Sequence, residues 1–294
     1  MLLQVMETNE LLKRVRKIEI KTRGLSRHIF AGEYHSAFKG KGMAFSEVRE
    51  YQYGDDIRSV DWNVTARFNH PYIKVFEEER ELTVMLLIDV SGSGKFGTQS
   101  RMKSELITEI AAVLSFSAIQ NNDKVGVILF SDRIEKFIPP KKGRQHILKI
   151  IRELIDHKPA STRTSLTIPL RYLVNVIRKR STCFLISDFI DENFEDALKI
   201  AAKKHDLAGL RIYDIRETEL PVAGMIKVRD AETGELAWVD TGNIQVRNAY
   251  HAEYHKKYEE LCDVLNRFGV DFVSIASHED YVKPLMRLFN KRSR

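Results

Sequence analysis

The sequence predicts an α/β fold: a doubly wound, mostly parallel sheet with helices on both faces. Three observations carry that expectation. Short, continuously apolar runs such as "TVMLLI" (83–88), "KVGVILF" (124–130) and "TCFLIS" (182–187) have the character of strands buried on both faces. Between them lie stretches of helical periodicity, and the alternation of the two from residue 83 onward is the pattern of a parallel sheet with crossover helices. The 294 residues also suffice for one large domain with an appendage. Residues 1–80 do not share the rhythm and are expected to form a small N-terminal subdomain. Residues 81–294 form the sheet domain, with a β-hairpin insertion near 222–243.

Taken in order, the first 80 residues offer one basic helix, a Gly-rich link "FKGKGMAF", and two short strand candidates near Glu47–Tyr53 and Tyr72–Phe76. After "TVMLLI", residues 101–120 place Leu106, Ile107, Ile110, Val113 and Leu114 at helical spacing. "KVGVILF" is the next strand, and "RIEKFIPP" alternates before two prolines close it. "RQHILKIIRELIDH" and "TIPLRYLVNVIRKR" are helical, with Pro169 early enough for a first turn. "TCFLISD" is a strand, "FEDALKIAAKKH" a helix and "LAGLRIYDI" a strand. "AGMIKVRDAETGELAWVDTG" alternates on either side of Glu232-Thr233-Gly234-Glu235, which predicts a hairpin. A helix over Ala249–Arg267, strand "VDFVSIA" and a helix over Tyr281–Phe289 complete the chain.

Composition is that of an ordinary globular protein, 43% hydrophobic and 30% charged. No apolar run approaches the ~20 residues that span a bilayer. The opening "MLLQVMETNELLKR" is too short and too acidic for a secretory signal, so the expected location is the cytosol. Cys183 and Cys262, far apart and without C-x-x-C spacing, are expected to be reduced core residues. The net charge of +6 gathers around Lys13–Arg27 and in the tail from Lys283 to Arg294. Such clusters can attract nucleic acid or anionic lipid, but a solvated helix face and a frayed tail explain them as well.

The most informative stretch is "LLIDVSGSGKFG", Leu86–Gly97. It is not a phosphate-binding loop: five residues before Gly94 stands Asp89, which repels phosphate, and Phe96 follows Lys95 where a hydroxyl is needed. No glycine sits two before Ser91 or Ser93, so there is no nucleophile elbow. An aspartyl-phosphate enzyme needs a second Asp two residues after the first, and Ser91 is there instead. A metal cup fits. Asp89, Ser91 and Ser93 alternate, so their oxygens face one point above the carboxyl end of a buried strand, where open α/β sheets place ligands. One carboxylate with two hydroxyls suits a hard cation, Mg²⁺ or Mn²⁺, and suits zinc poorly.

This D-x-S-x-S pattern resembles the metal-ion-dependent adhesion site of von Willebrand factor A-like domains. The resemblance implies a Thr from a second loop and an Asp from a third. Thr164 of "STRTSL" and Asp188 of "LISDF" stand at the matching places, giving a metal set of Asp89, Ser91, Ser93, Thr164 and Asp188. Departures are Gly94-Lys95 and Thr162-Arg163, where the family often has an apolar residue and Gly-Gly. Upstream, "VREYQYGDDIRSVDWNVTARFNHPYIKVFEEERE" sets arginines and carboxylates around Trp62, which predicts an ion-pair network of Arg49, Asp55, Asp56, Arg58, Asp61 and Arg67. Together with the metal pattern, this run is similar to the bacterial family known as domain of unknown function 58. That resemblance covers nearly the whole chain and implies a partner or adaptor of a MoxR-type AAA+ ATPase.

The expected function is therefore binding rather than turnover. A partner's Asp or Glu would complete the coordination of the ion. A metal-dependent phosphatase or hydrolase using the same carboxylates is the alternative, and a nucleic-acid or membrane-surface binder working through the basic helices is a third. No residue is assigned a catalytic role, and no specific nucleic acid is expected. His251 and His255 lack the Glu placement of a zinc-protease helix and are expected on a solvated face, with Trp238 expected to pack within the hairpin.

Overall fold

The computed structural model describes residues 2–25, 42–79, 82–92, 102–191, 193–229 and 235–292. The chain divides into two compact units, one of residues 39–81 and the other of 1–38 with 82–294. The 1–80 subdomain expected from the sequence is thus split, because helix α1 (Leu2–Leu25) belongs to the sheet-bearing unit.

In the small unit, β1 (Gly42–Glu50) pairs antiparallel with β2 (Tyr72–Glu79), with a register shift between Phe45 and Glu47. Helix α2 (Trp62–Phe68) lies between them in the chain, its first N–H groups capped by the Asp61 carboxylate. The expected ion-pair network is smaller than predicted. Arg49 grips Asp55 through two bonds of 2.9 and 2.7 Å, and Lys74 sits 3.5 Å from Asp61. Asp56 caps a helical turn rather than pairing with an arginine, accepting the Arg58 N–H. Hydrogen bonding to Arg49 holds the Asp55 carboxyl below its ordinary range.

The large unit is built on β3 (Thr83–Asp89), β4 (Lys124–Phe130), β5 (Ile134–Lys141), β6 (Thr182–Ser187), β7 (Asp206–Tyr213) and β10 (Asp271–Ala276). Strands β8 (Met225–Arg229) and β9 (Leu236–Asp240) form the separate antiparallel hairpin. Its expected turn residues Glu232–Gly234 lie outside the described residues. The six-stranded sheet has the order β10-β7-β6-β3-β4-β5. Only the β4–β5 pairing is antiparallel, as a loop as short as 131–133 requires; the rest are parallel. Counted along the chain, the sheet strands run 3-2-1-4-5-6, so the order reverses between β3 and β6. In open α/β sheets, ligands bind in the crevice at the carboxyl ends of the two strands flanking that reversal.

Helices cover both faces. Along β3, Val84, Leu86 and Ile88 pack with α3 (Lys103–Gln120) and α9 (Val282–Arg292), through residues such as Ile110 and Leu285. Met85 and Leu87 point the other way, toward α5 (Thr167–Val176), α6 (Glu195–Lys204) and α8 (Ile244–Arg267), where Leu170, Leu198 and Leu261 meet them. Strict alternation of a wholly apolar strand thus feeds two cores, each such side chain stabilising by about 1.5–3 kcal/mol. Helix α1 adds a third cluster, Val15 packing with Ala112 and Phe116 of α3 and with Ile147 and Ile151 of α4 (Arg144–Asp156).

The last two helices extend beyond their predicted spans. Asn243 caps α8 through its side chain and starts it at Ile244, five residues earlier than expected, and α9 continues to Arg292. Cys183 is buried and its thiol is pushed up to about 12 by burial, which makes it inert; Cys262 is half-buried.

Candidate functional site

At the reversal point, β3 ends in Asp89 and β6 ends one residue before Asp188. Both side chains are buried. Asp89 accepts the Ser91 N–H at 2.9 Å through Oδ1 and the Ser187 hydroxyl at 2.7 Å through Oδ2. Burial first, and then the charge of Asp188, push the Asp89 carboxyl up to about 7, although the hydrogen bonds from Ser187 and Ser91 pull the other way.

The loop carrying Asp188 is tightly made. Ser187 Oγ accepts the Phe189 N–H at 3.1 Å and Asp188 Oδ1 accepts the Ile190 N–H at 3.3 Å. Phe189 is held at φ 60°, a left-handed conformation that costs a bulky residue about 1–3 kcal/mol. Its ring meets Phe272 edge-on at 5.6 Å, and both rings crowd Gly209, where a Cβ would lie 3.0 Å from Phe272 Cδ2 and 3.2 Å from Phe189 Cζ. Beneath the loop, buried Arg211 donates from Nε to the Asp188 carbonyl at 3.3 Å and from Nη2 to Tyr254 Oη at 2.7 Å. Its guanidinium carbon lies 5.0–5.1 Å from the rings of Tyr213, Tyr254 and Tyr258.

The second expected loop is tied to the first by a backbone bond and to the third by a side-chain carboxylate. Gly92 N–H donates to the Thr162 carbonyl at 3.0 Å, and Leu166 N–H to Asp191 Oδ2 at 2.6 Å. Ser165 N–H reaches the Ser131 carbonyl beyond β4 at 3.1 Å. Thr164 therefore sits in a segment laced to the Asp89 loop on one side and the Asp188 loop on the other. Its Oγ1 is shielded from water and, among the described residues, has no hydrogen-bond partner. A buried hydroxyl left unpaired costs about 1–3 kcal/mol, which calls for an explanation in a site of this kind. Ser93 lies outside the described residues, as do Gly94 and Lys95.

Two charged residues absent from the sequence-derived set belong here. Lys103, the first residue of α3, has a side chain only 2% exposed, and its Nζ lies 3.1 Å from Asp188 Oδ2 and 2.5 Å from Glu217 Oε1. Burial opposes its charge, but Asp188 and Glu217 outweigh that and hold it above its ordinary value. Glu217 belongs to the one-turn helix α7 (Ile215–Thr218), where it also closes a capping box with Asp214. In sequence, a lysine opening a helix resembles any solvated N-terminus; only the strand order brings it against Asp188. A cavity of about 410 Å³ adjoins Asp89 and Ser91 on the side of α1, α3 and α4, lined by Lys17, Lys21, Glu109, Ile107, Leu154 and Ile155, and neither Thr164 nor Asp188 lines it.

Elsewhere the basic clusters are partly consumed by pairing. Lys21 bonds Glu109, Arg144 bonds Glu19, and Lys291 and Arg292 bond Asp271, with Arg292 also on Asp206. His251 and His255 lie on an exposed stretch of α8, their Nε2 atoms hydrogen-bonded to each other at 3.2 Å. Trp238 departs from its expected packing role: it is 67% exposed, with Lys227 5.9 Å from its ring. Among the described residues, no group of three or more His, Cys, Asp or Glu could hold an ion. No described helix is long and apolar enough to cross a membrane.

Residues 47–260 match the family model described as protein of unknown function DUF58. The chain belongs to that family. The six-stranded, mostly parallel sheet with helices on both faces is the α/β architecture that the sequence resemblance implied. Mb1516, an uncharacterized protein of Mycobacterium bovis, is 26% identical over 283 residues, covering 95% of this chain and 89% of the relative. YeaD of Bacillus subtilis, also uncharacterized, is 28% identical over 109 residues, covering 37% of this chain and 25% of its own. Among solved structures, an aerotolerance-related membrane protein from Bacteroides fragilis superposes with a TM-score of 0.50 and 15% identity, over 72% of this chain and 98% of that one. The VWA domain of SpRpn10 aligns over 72% of this chain and 95% of its own, at 13% identity and a TM-score of 0.40.

Proposed function

We propose that this DUF58 protein is a cation-dependent protein-binding module of the cytosol. Ser91, Ser93 and Thr164 would hold a divalent cation directly, and Asp89 and Asp188 would orient its waters and balance part of its charge. Hydroxyls and carboxylates without imidazole or thiolate suit Mg²⁺, with Mn²⁺ the substitute. The observation that carries this is the Thr164 hydroxyl, buried and without a partner among the described residues, in a segment bonded to the loops that follow Asp89 and Asp188 at the reversal of strand order. A buried oxygen without a partner among the described residues fits a cation ligand. A cation held there would supply a Lewis-acidic centre for an external carboxylate.

The chain's own residues do the rest. Asp89 ends β3 and Asp188 follows its sheet neighbour β6, and the Gly92–Thr162 bond ties the loop bearing Thr164 to the loop after Asp89. The partner implied by the family resemblance is a MoxR-type AAA+ ATPase. The test is capture of that ATPase, and of partners from lysate, by the whole chain in Mg²⁺ and again in EDTA, with Asp89→Ala alongside. Capture is expected only in Mg²⁺ and only with Asp89 present. Undiminished capture in EDTA rules the function out.

A further inference from the structure

We propose that Lys103 is a built-in counter-charge that keeps the cation site weak until an acidic ligand arrives, so that cation and carboxylate are taken up together. The inference rests on the function proposed above and adds a regulation to it. An ammonium this deeply buried, in contact with Asp188 at 3.1 Å, places a full positive charge against a carboxylate that would otherwise face the cation. Like charges close together in a poorly hydrated interior repel far more strongly than in water. Lys103 therefore lowers the attraction of Asp89 and Asp188 for a dication. A carboxylate brought by the ligand adds the negative charge that Lys103 removes.

Glu217 tempers this effect. Its Oε1 lies 2.5 Å from the ammonium, so Lys103 is shared between two carboxylates. Asp188 in turn keeps lone pairs on both oxygens, since it accepts only Lys103 and the Ile190 N–H among the bonds described. The three groups come from the end of β6, the start of α3 and the helix α7, so the arrangement is a product of tertiary structure rather than of any local motif.

A purely structural role for Lys103, tying α3 to the Asp188 loop, makes the opposite prediction. Loosening the loop would weaken cation binding, whereas removing the counter-charge strengthens it. The experiment is Mn²⁺ binding by the full chain, followed by the paramagnetic signal of the free ion, with and without acetate as the minimal carboxylate. Lys103→Met is expected to bind Mn²⁺ at least tenfold more tightly than the unaltered chain in the absence of acetate, and to show less enhancement by acetate. Lys103→Arg, which keeps the charge, stays within about threefold of the unaltered chain. Glu217→Gln leaves the ammonium to Asp188 alone and weakens Mn²⁺ binding several-fold, a readout that stands if Lys103→Met does not fold. Equal or weaker binding in Lys103→Met, or tighter binding in Glu217→Gln, overturns the counter-charge while leaving the cation site intact. Failure of the unaltered chain and every variant to bind Mn²⁺ overturns both the counter-charge and the proposed function.

Discussion

Replacing Asp89 by Asn should make the metal-free protein more stable at neutral pH and less stable in acid. Burial and the neighbouring Asp188 charge raise the Asp89 carboxyl from an ordinary 3.8 to about 7. Between those values the folded chain holds a proton that the unfolded chain has released. Stability therefore falls as pH rises from about 4 to about 7 and is level above that. A difference of about three pH units corresponds to about 4 kcal/mol. Asn carries no charge and escapes this loss. Its Oδ1 can still accept the Ser91 N–H, but it no longer offers an anionic acceptor to the Ser187 hydroxyl, at a cost of about 1 kcal/mol. The net expectation in EDTA is Asp89→Asn about 3 kcal/mol more stable near pH 8, and about 1 kcal/mol less stable near pH 4. Urea unfolding of both proteins at a series of pH values measures the difference directly, and titrating groups that do not interact with Asp89 cancel in it. A difference that does not change between about pH 4 and 8 refutes the reasoning, because Asp89 would then titrate normally.

Three further outcomes are expected. Thr164→Val removes an unpartnered hydroxyl, so in EDTA its stability should lie within about 1 kcal/mol of the unaltered chain or above it. Thermal unfolding with added Mg²⁺ should then show no rise in midpoint for that variant, and a retained rise counts against Thr164 as a ligand. Gly209→Ala drives a methyl against Phe189 and Phe272 and should cost about 1–3 kcal/mol, with a weaker Mg²⁺ response because Phe189 follows Asp188. An unchanged unfolding midpoint would show that the two rings yield freely. Arg49→Ala, by breaking a bidentate pair in the small unit, should leave the Mg²⁺ response of the large unit unchanged, which a titration of the variant checks.

Much of the fold was legible because its strands are short, apolar and separated by helices of clear period. "TVMLLID" and "TCFLISD" announce both the buried strands and the carboxylates that end them, since an aspartate closing such a run has no solvated face to occupy. Helix α1 hides its place in the sheet-bearing unit because its lysines and arginines outnumber the apolar residues that pack it, and Val15 finds its buried partners on α3 and α4. Lys103 and Glu217 lie more than a hundred residues apart, in a helix and a one-turn segment that carry no motif. Their meeting with Asp188 depends on strand order, which periodicity does not encode. Ser187 is hidden for a different reason: next to an aspartate at a strand end, a small hydroxyl looks like ordinary loop chemistry, although it donates to Asp89.

The two tryptophans set a practical rule for following this protein in solution. Trp62 lies in the 39–81 unit and Trp238 in the hairpin of the other, and both indoles are mostly bathed in solvent. Their emission will already resemble that of a denatured chain, so collapse of the six-stranded sheet should pass with little spectral shift. A blue shift on mixing with another macromolecule instead reports that an indole has been covered. With Trp62→Phe, the remaining signal would belong to the hairpin alone.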